Sequence, residues 1–166
     1  MAKIWKYRTG LEKIPPSSLN ILSEGCGIST EFARLLWIRG IRSVKDGCLY
    51  LDSGLQHLED PNKWPGMMQA AQTLAEGLKA GGKLAVWGDY DVDGITGTAV
   101  ALEVLAYHGY DALWHIPDRR TEGYGMNVLG IKDLHDQGAS MLLTIDCGIS
   151  DQNAIKCARD LGMTVV

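Results

Sequence analysis

Three aspartates at alternate positions, Asp89, Asp91 and Asp93, follow an apolar run and precede Gly94 in the stretch Val86–Thr98. Carboxylates crowded in this way raise one another's pKa, because each negative charge disfavours ionisation of the next. A divalent cation removes that repulsion, and magnesium and manganese favour carboxylate oxygens. The same residues also fit a solvated acidic turn in which Gly94 supplies a positive φ. A second candidate, Asp146, comes directly after Leu142-Leu143-Thr144-Ile145. It either joins the first three around a metal or satisfies the amides of its own turn. If the two preceding strands are neighbours, about 5 Å apart, their ends can share one site. Two strand ends that both offer carboxylates favour metal.

A third segment runs from Pro117 to Asn127 and contains Asp118-Arg119-Arg120-Thr121-Glu122-Gly123-Tyr124-Gly125. Arg119 and Arg120 carry forked donors suited to phosphate. Gly123 and Gly125 permit close backbone approach, and Tyr124 can stack on a base or pack locally. An ordinary polar loop has the same composition, so spacing alone does not separate the two readings. His57, His108 and His135 read as incidental. His115 lies nearer the strand ends, and Cys147 reads as a small packing residue.

These residues need elements to hold them. Lys83 to Trp87, Ala112 to Ile116, Met141 to Ile145 and Met163 to Val166 read as short strands. Between them lie helical patterns: Ile95 to Tyr107, apolar nearly all round and therefore expected to be buried; a helix capped by Asn127 and ended by Gly138; and one capped by Ser150. Strands alternating with helices imply an α/β fold, a parallel βαβ sheet with helices on both faces. Ligands of such sheets gather outside the carboxyl ends of the strands, where the acidic turn, the arginine loop and Asp146 all fall.

Residues 1–65 read as an N-terminal arm and small helices packed on the core, and 66–166 as the α/β unit. The arm covers 1–16. Ser17 is the expected cap of a first helix, and Ser29 or Thr30 that of a second, which Gly40 stops. Ile41 to Pro65 reads as turns punctuated by Asp46-Gly47, Asp52-Ser53-Gly54 and Asp60-Pro61. Met67, Met68, Ala71, Leu74, Ala75 and Leu78 form an amphipathic stripe expected in the core.

The formal net charge of −4 argues against nucleic-acid binding through bulk electrostatics, although a bound metal can reverse the sign locally. Cys26, Cys48, Cys147 and Cys157 form no CxxC pair, which excludes the paired-cysteine zinc pattern and fits free thiols of a reducing compartment. The N-terminus lacks an apolar signal core and no run is long enough to span a membrane. A cytoplasmic protein is expected.

Together, GDYDVDGITGTA, IPDRRTEGYGMN and LLTIDCGIS, in this order and spacing, resemble the N-terminal part of the single-strand-specific DNA exonucleases of the DHH phosphoesterase family. The resemblance covers most of the chain and is densest from Lys83 to Val166. It makes 66–166 an incomplete DHH-type α/β domain. It implies that Asp91, Asp93 and Asp146 are catalytic metal ligands, with Asp89 on the metal or just behind it. Arg119, Arg120, Gly123, Tyr124, Gly125 and Asn127 would lie beside the substrate strand. The implied activity is 5′-to-3′ hydrolysis of single-stranded DNA to 5′-mononucleotides, with two manganese or magnesium ions, in DNA repair and recombination. Implied partners are single-stranded DNA and a single-strand-binding protein or helicase; the oligomeric state is left open. The family's Asp-His-His motif does not occur before Val166, so this chain is expected to be inactive alone. Two alternatives stand beside this reading. Asp91-Val92-Asp93-Gly94-Ile95-Thr96 also looks like a haloacid-dehalogenase-type phosphatase signature with Asp91 as nucleophile, and a DHH-like module can persist for binding alone.

Overall fold

The computed structural model describes residues 14–52 and 54–166; most of the expected arm lies outside them. The chain divides into two units, Met1–Asp60 and Pro61–Val166.

The first unit is helical. α1 (Pro16–Cys26), α2 (Thr30–Ile38) and α3 (Val44–Leu51) bury Leu19, Leu22, Ala33 and Leu36 together. Pro16 stands at the first helical position of α1, where its missing N–H costs nothing. The helix thus starts ahead of the expected Ser17 cap, and no side chain caps it. Ser29 caps α2 as expected, its hydroxyl accepting the Phe32 amide. α3 is a correction to the turn-rich reading of Ile41 to Pro65. Ser43 accepts the Asp46 amide and starts the helix, so Asp46-Gly47 lies inside it rather than in a turn. Gly47 is buried there for want of room: a Cβ would stand 2.6 Å from Cys26 Sγ. A single 3-10 turn, Leu55–His57, follows.

The second unit starts with another 3-10 turn, Pro61–Lys63, and α4 (Met67–Lys79). Then come β1 (Leu84–Gly88), α5 (Val92–Tyr107), β2 (Leu113–His115), α6 (Val128–Asp136), β3 (Met141–Ile145), α7 (Gln152–Asp160) and β4 (Thr164–Val165). All pairings are parallel and the order is β2-β1-β3-β4. After β1 the chain moves to one side for β2, then crosses to the other for β3. The carboxyl ends of β1 and β3 therefore flank the point where the winding reverses, the usual ligand crevice of such sheets.

Residues of β1 alternate between two apolar layers, as the pleat requires. Leu84 and Val86 pack with Met141, Leu74, Leu78, Leu102 and Leu105 on the α4–α5 face. Ala85 and Trp87 pack with Leu142, Ile131, Leu134, Ala154 and Ala158 on the α6–α7 face. Trp87 is fully buried, its ring against His115 at 4.2 Å between centroids; a Cβ on Gly130 would fall 2.5 Å from it.

Three helix readings change. α5 starts at Val92, not beyond Gly94, because Asp91 is its N-cap. It is also not buried all round: only Gly94 and Thr98 are fully enclosed, while Val100, Val104 and Tyr107 are exposed on its outer side. The methionine stripe of α4 likewise keeps Met67 and Met68 exposed, and only Leu74 and Leu78 reach the sheet. Asp151, not Ser150, precedes α7, and its carboxylate accepts the Gly148 amide.

Candidate metal centre

Gly88 and Ile145 are register partners on adjacent parallel strands. Asp89 and Asp146 therefore leave the sheet side by side, which fulfils the neighbouring-strand condition set by the sequence. Asp89 is 2% exposed. It lies against the first turn of α5, where a Cβ on Gly94 would fall 2.4 Å from both its backbone N and its backbone O. Gly94 thus meets a demand for space and not for positive φ: it stands in the helix and is absent from the residues with left-handed backbone. Asp89 Oδ1 accepts the Tyr90 amide at 2.8 Å. Asp91 Oδ1 accepts the amides of Asp93 and Gly94, both at 3.1 Å. Those bonds place a carboxylate on the positive end of α5, where the unpaired amides favour its charge.

Asp146 has φ 59, and among the described residues it alone carries positive φ without being glycine. Aspartate tolerates the left-handed region better than most side chains, and backbone of this kind concentrates at functional sites. The bend, continued by Gly148 at φ 97, turns the Asp146 carboxylate toward the β1 end. One oxygen each from Asp89, Asp91 and Asp146 can be chosen so that all lie within 4.8 Å of one another.

The electrostatics agree with a site suited to a positive counter-charge. Loss of solvent raises the Asp146 carboxyl above its ordinary value, followed by the charges of Asp91, Asp93 and Asp89. The Tyr124 phenol is also raised, first by Asp89. Among the described residues, no lysine, arginine or histidine forms an ion pair with any of these four aspartates. Hard oxygen donors, one of them buried, with mutual repulsion and no basic partner fit a divalent cation of the magnesium or manganese type.

Asp93 stands outside the trio. It lies exposed in the first turn of α5 and acts on Asp146 through its charge. Of the loop residues, Arg119 spreads over the Tyr90 ring at 5.1 Å, and Tyr124 meets the same ring edge-on at 6.0 Å. Arg120 pairs with Asp118 at 3.5 Å and is almost fully exposed. Gly123 and Gly125 have φ of 89 and 73. Asn127 caps α6 through the Gly130 amide, as expected, and also donates to Glu122.

Two residues escaped the sequence reading. Tyr90 joins the acidic turn to the arginine loop; an aromatic between two aspartates was the available signal. Glu122 gathers the loop by accepting from Asp118 N, Asn127 Nδ2 and, at 2.7 Å, pairing with His115 Nε2. Burial pulls the Glu122 carboxyl upward, but these bonds hold it below its ordinary value. Nothing in sequence spacing marks that network. Cys147 packs as expected: its thiol donates to Trp87 O, and burial pushes it up to about 11.

The model of the DHH family N-terminal domain matches residues 83–166. The chain belongs to the DHH family. Its DHH match begins at β1 and contains all four aspartates. Among relatives, the single-stranded-DNA-specific exonuclease RecJ of Bacillus subtilis is 31% identical over 161 residues, covering 97% of this chain and 20% of that protein. RecJ of Thermus thermophilus is 37% identical over 139 residues, covering 84% and 20%. The chain spans about a fifth of the length of the curated relatives it matches. Two solved structures share the fold. One is exonuclease RecJ bound to manganese, with 38% identity, TM-score 0.55, and coverage of 60% of this chain and 26% of that one. The other is RecJ of Thermus thermophilus in complex with Mn2+, with 29% identity, TM-score 0.57, and coverage of 92% and 20%. The phosphatase reading of Asp91 loses its support. Asp91 stands beyond Asp89 and Tyr90 instead of directly after the strand, its carboxylate caps α5, and the family is DHH.

Proposed function

We propose that this chain forms the carboxylate part of a metal-dependent exonuclease acting on single-stranded DNA. The observation that carries the proposal is the meeting of Asp89, Asp91 and Asp146 at two adjacent strand ends with no basic partner among the described residues. Its relatives are named single-stranded-DNA-specific exonucleases, and two related structures contain manganese. Manganese or magnesium, two ions in the full reading, would be held by these three residues with Asp93 and would supply Lewis acidity toward a phosphodiester. The chain's own residues prepare the ground for that chemistry. Asp91 is locked by the α5 amides, Asp89 by burial, and Asp146 by its bend, so the donors need little rearrangement on binding.

The loop above them suits one strand of nucleic acid. Arg119 and Arg120 offer donors to phosphate, Tyr124 offers a ring face to a base, and Gly123 keeps the backbone accessible, whereas Gly125 is buried against the Asp151 carboxylate. Asn127 and Glu122 hold the loop in position. The direction is 5′ to 3′, the products are 5′-mononucleotides, and the setting is cytoplasmic DNA repair and recombination, with a single-strand-binding protein or helicase as partner. Among the described residues no helix is long and apolar enough to cross a membrane.

The test joins this chain to the remaining length of the Bacillus subtilis relative in place of the matching span. Manganese-dependent release of mononucleotides from the 5′ end of single-stranded DNA, lost in Asp91→Asn and Asp146→Asn, is the expected result. Activity retained in both variants would remove the carboxylates from the reaction. A folded chimera that binds the strand without cleaving it would favour the binding-module alternative.

A further inference from the structure

Both cysteines of the helical unit follow a glycine, and the two Gly-Cys pairs meet. Cys26 ends α1 after Gly25, and Cys48 lies in α3 after Gly47. A Cβ on Gly25 would stand 2.5 Å from Val44 Cγ2, and one on Gly47 would stand 2.6 Å from Cys26 Sγ. The helices come this close because neither has a side chain at those positions. Each thiol then bonds to the other helix: Cys26 Sγ donates to Val44 O at 3.6 Å, and Cys48 Sγ donates to Gly25 O at 3.7 Å. The sulfurs themselves are 3.7 Å apart. Bonded sulfurs lie about 2.05 Å apart, so closure brings the two sulfurs about 1.6 Å nearer. Among the described residues no other two thiols share a hydrogen bond.

Access is unequal, which gives the pair a direction. Cys48 is exposed and Cys26 is partly buried. Loss of solvent, and then the neighbouring Cys48, raise the Cys26 thiol above its ordinary value. The exposed sulfur meets an oxidant first and the sheltered one follows.

We propose that Cys26 and Cys48 are a peroxide-responsive dithiol that closes to an intramolecular disulfide joining α1 to α3. In the first step the Cys48 thiolate attacks one oxygen of hydrogen peroxide. The O–O bond breaks, a sulfenic acid forms on Cys48, and the departing hydroxide takes up the thiol's proton as water. In the second step Cys26 sulfur attacks Cys48 sulfur and expels the hydroxyl, which leaves as a second water with the Cys26 proton. Two thiols and one peroxide thus give one disulfide and two waters, and a dithiol reductant reverses the change. The bond closes the span of 22 positions that carries α2 and restricts separation of the three helices.

The test treats the reduced chain with an equimolar amount of hydrogen peroxide, counts thiols after denaturation and maps disulfides by peptide mass spectrometry. The titre is expected to fall from four thiols to two, with one cross-linked peptide joining Cys26 to Cys48 and the unfolding temperature raised until reductant is added. Cys48→Ser is expected to form no internal disulfide. Cys26→Ser is expected to leave a sulfenic acid on Cys48 that dimedone traps. A titre that stays at four, a bond involving Cys147 or Cys157, a chain-to-chain disulfide, or an internal disulfide in Cys48→Ser would each overturn the proposal. Absence of the dimedone adduct would overturn the order of attack.

Discussion

Replacing Gly94 by alanine is expected to break the proposed metal centre without removing a carboxylate. The added Cβ would fall 2.4 Å from Asp89 N and from Asp89 O, and 2.6 Å from its carbonyl carbon, where ordinary contact starts at 3.4 Å. The overlap is therefore about 1 Å with three backbone atoms, and relief requires the end of β1 to move away from α5. Alanine gains about 1 kcal/mol over glycine in a helix interior, while overpacking of this kind costs about 1–3 kcal/mol or more. The clash is expected to win because backbone atoms cannot swing aside. Asp89 moves with its backbone, so the spacing to Asp91 and Asp146 is lost as well. The assay pairs thermal unfolding with a manganese titration followed by electron paramagnetic resonance. Gly94→Ala should unfold earlier and lose at least about tenfold in manganese affinity, the usual scale for disturbing the support of a metal ligand. A Gly94→Ala protein with wild-type stability and affinity would refute the reasoning.

Two further predictions follow from the carboxyl environments. The Asp146 pKa is raised in the fold, so its contribution to stability is fully present below the ordinary carboxyl value of 3.8 and is lost as pH rises through the raised one. At neutral pH the metal-free chain bears that repulsion, and Asp146→Asn is expected to raise its unfolding temperature while abolishing manganese binding; lowered stability together with retained binding would contradict this. Glu122 behaves with the opposite sign: its lowered pKa gives stability that is present above the ordinary value of 4.5 and lost as pH falls through the folded one. Protection of the Asp118 amide, which donates to Glu122, measured as its exchange rate relative to the unstructured rate at the same pH, should fall in acid and in Glu122→Ala, and unchanged protection in both would remove Glu122 as the anchor of the loop.

Much of the second unit is legible from local pattern. β1 is a short buried run, β3 a short apolar one, and Asn127 caps α6 as its position suggests. What local pattern lacks is the order of strands. The aspartates become one site only because β3 crosses to the free side of β1, and that follows from packing helices on both faces. α3 was hidden because Asp46-Gly47 is turn chemistry in isolation; the tertiary demand for a gap beside Cys26 makes the glycine helical. A similar reversal concerns Gly94, whose absent side chain makes room for Asp89 instead of freeing φ. The uniform apolarity of α5 predicted burial, yet nothing among the described residues covers Val100, Val104 and Tyr107. The left-handed backbone of Asp146 had no sequence marker, since aspartate is common in ordinary turns.

The central claim is that Asp89, Asp91 and Asp146 are held together for a divalent cation. Manganese titration of the chain itself tests this most directly, read by loss of the free-ion resonance signal, in wild type and with all three residues changed to asparagine. Asparagine keeps the cap at Asp91 and tolerates the backbone at Asp146, so the fold is expected to survive the change. The account predicts saturable binding that raises the unfolding temperature of the wild type and is absent from the triple variant. A wild-type chain that leaves manganese free, or a triple variant that binds it equally well, would contradict the account.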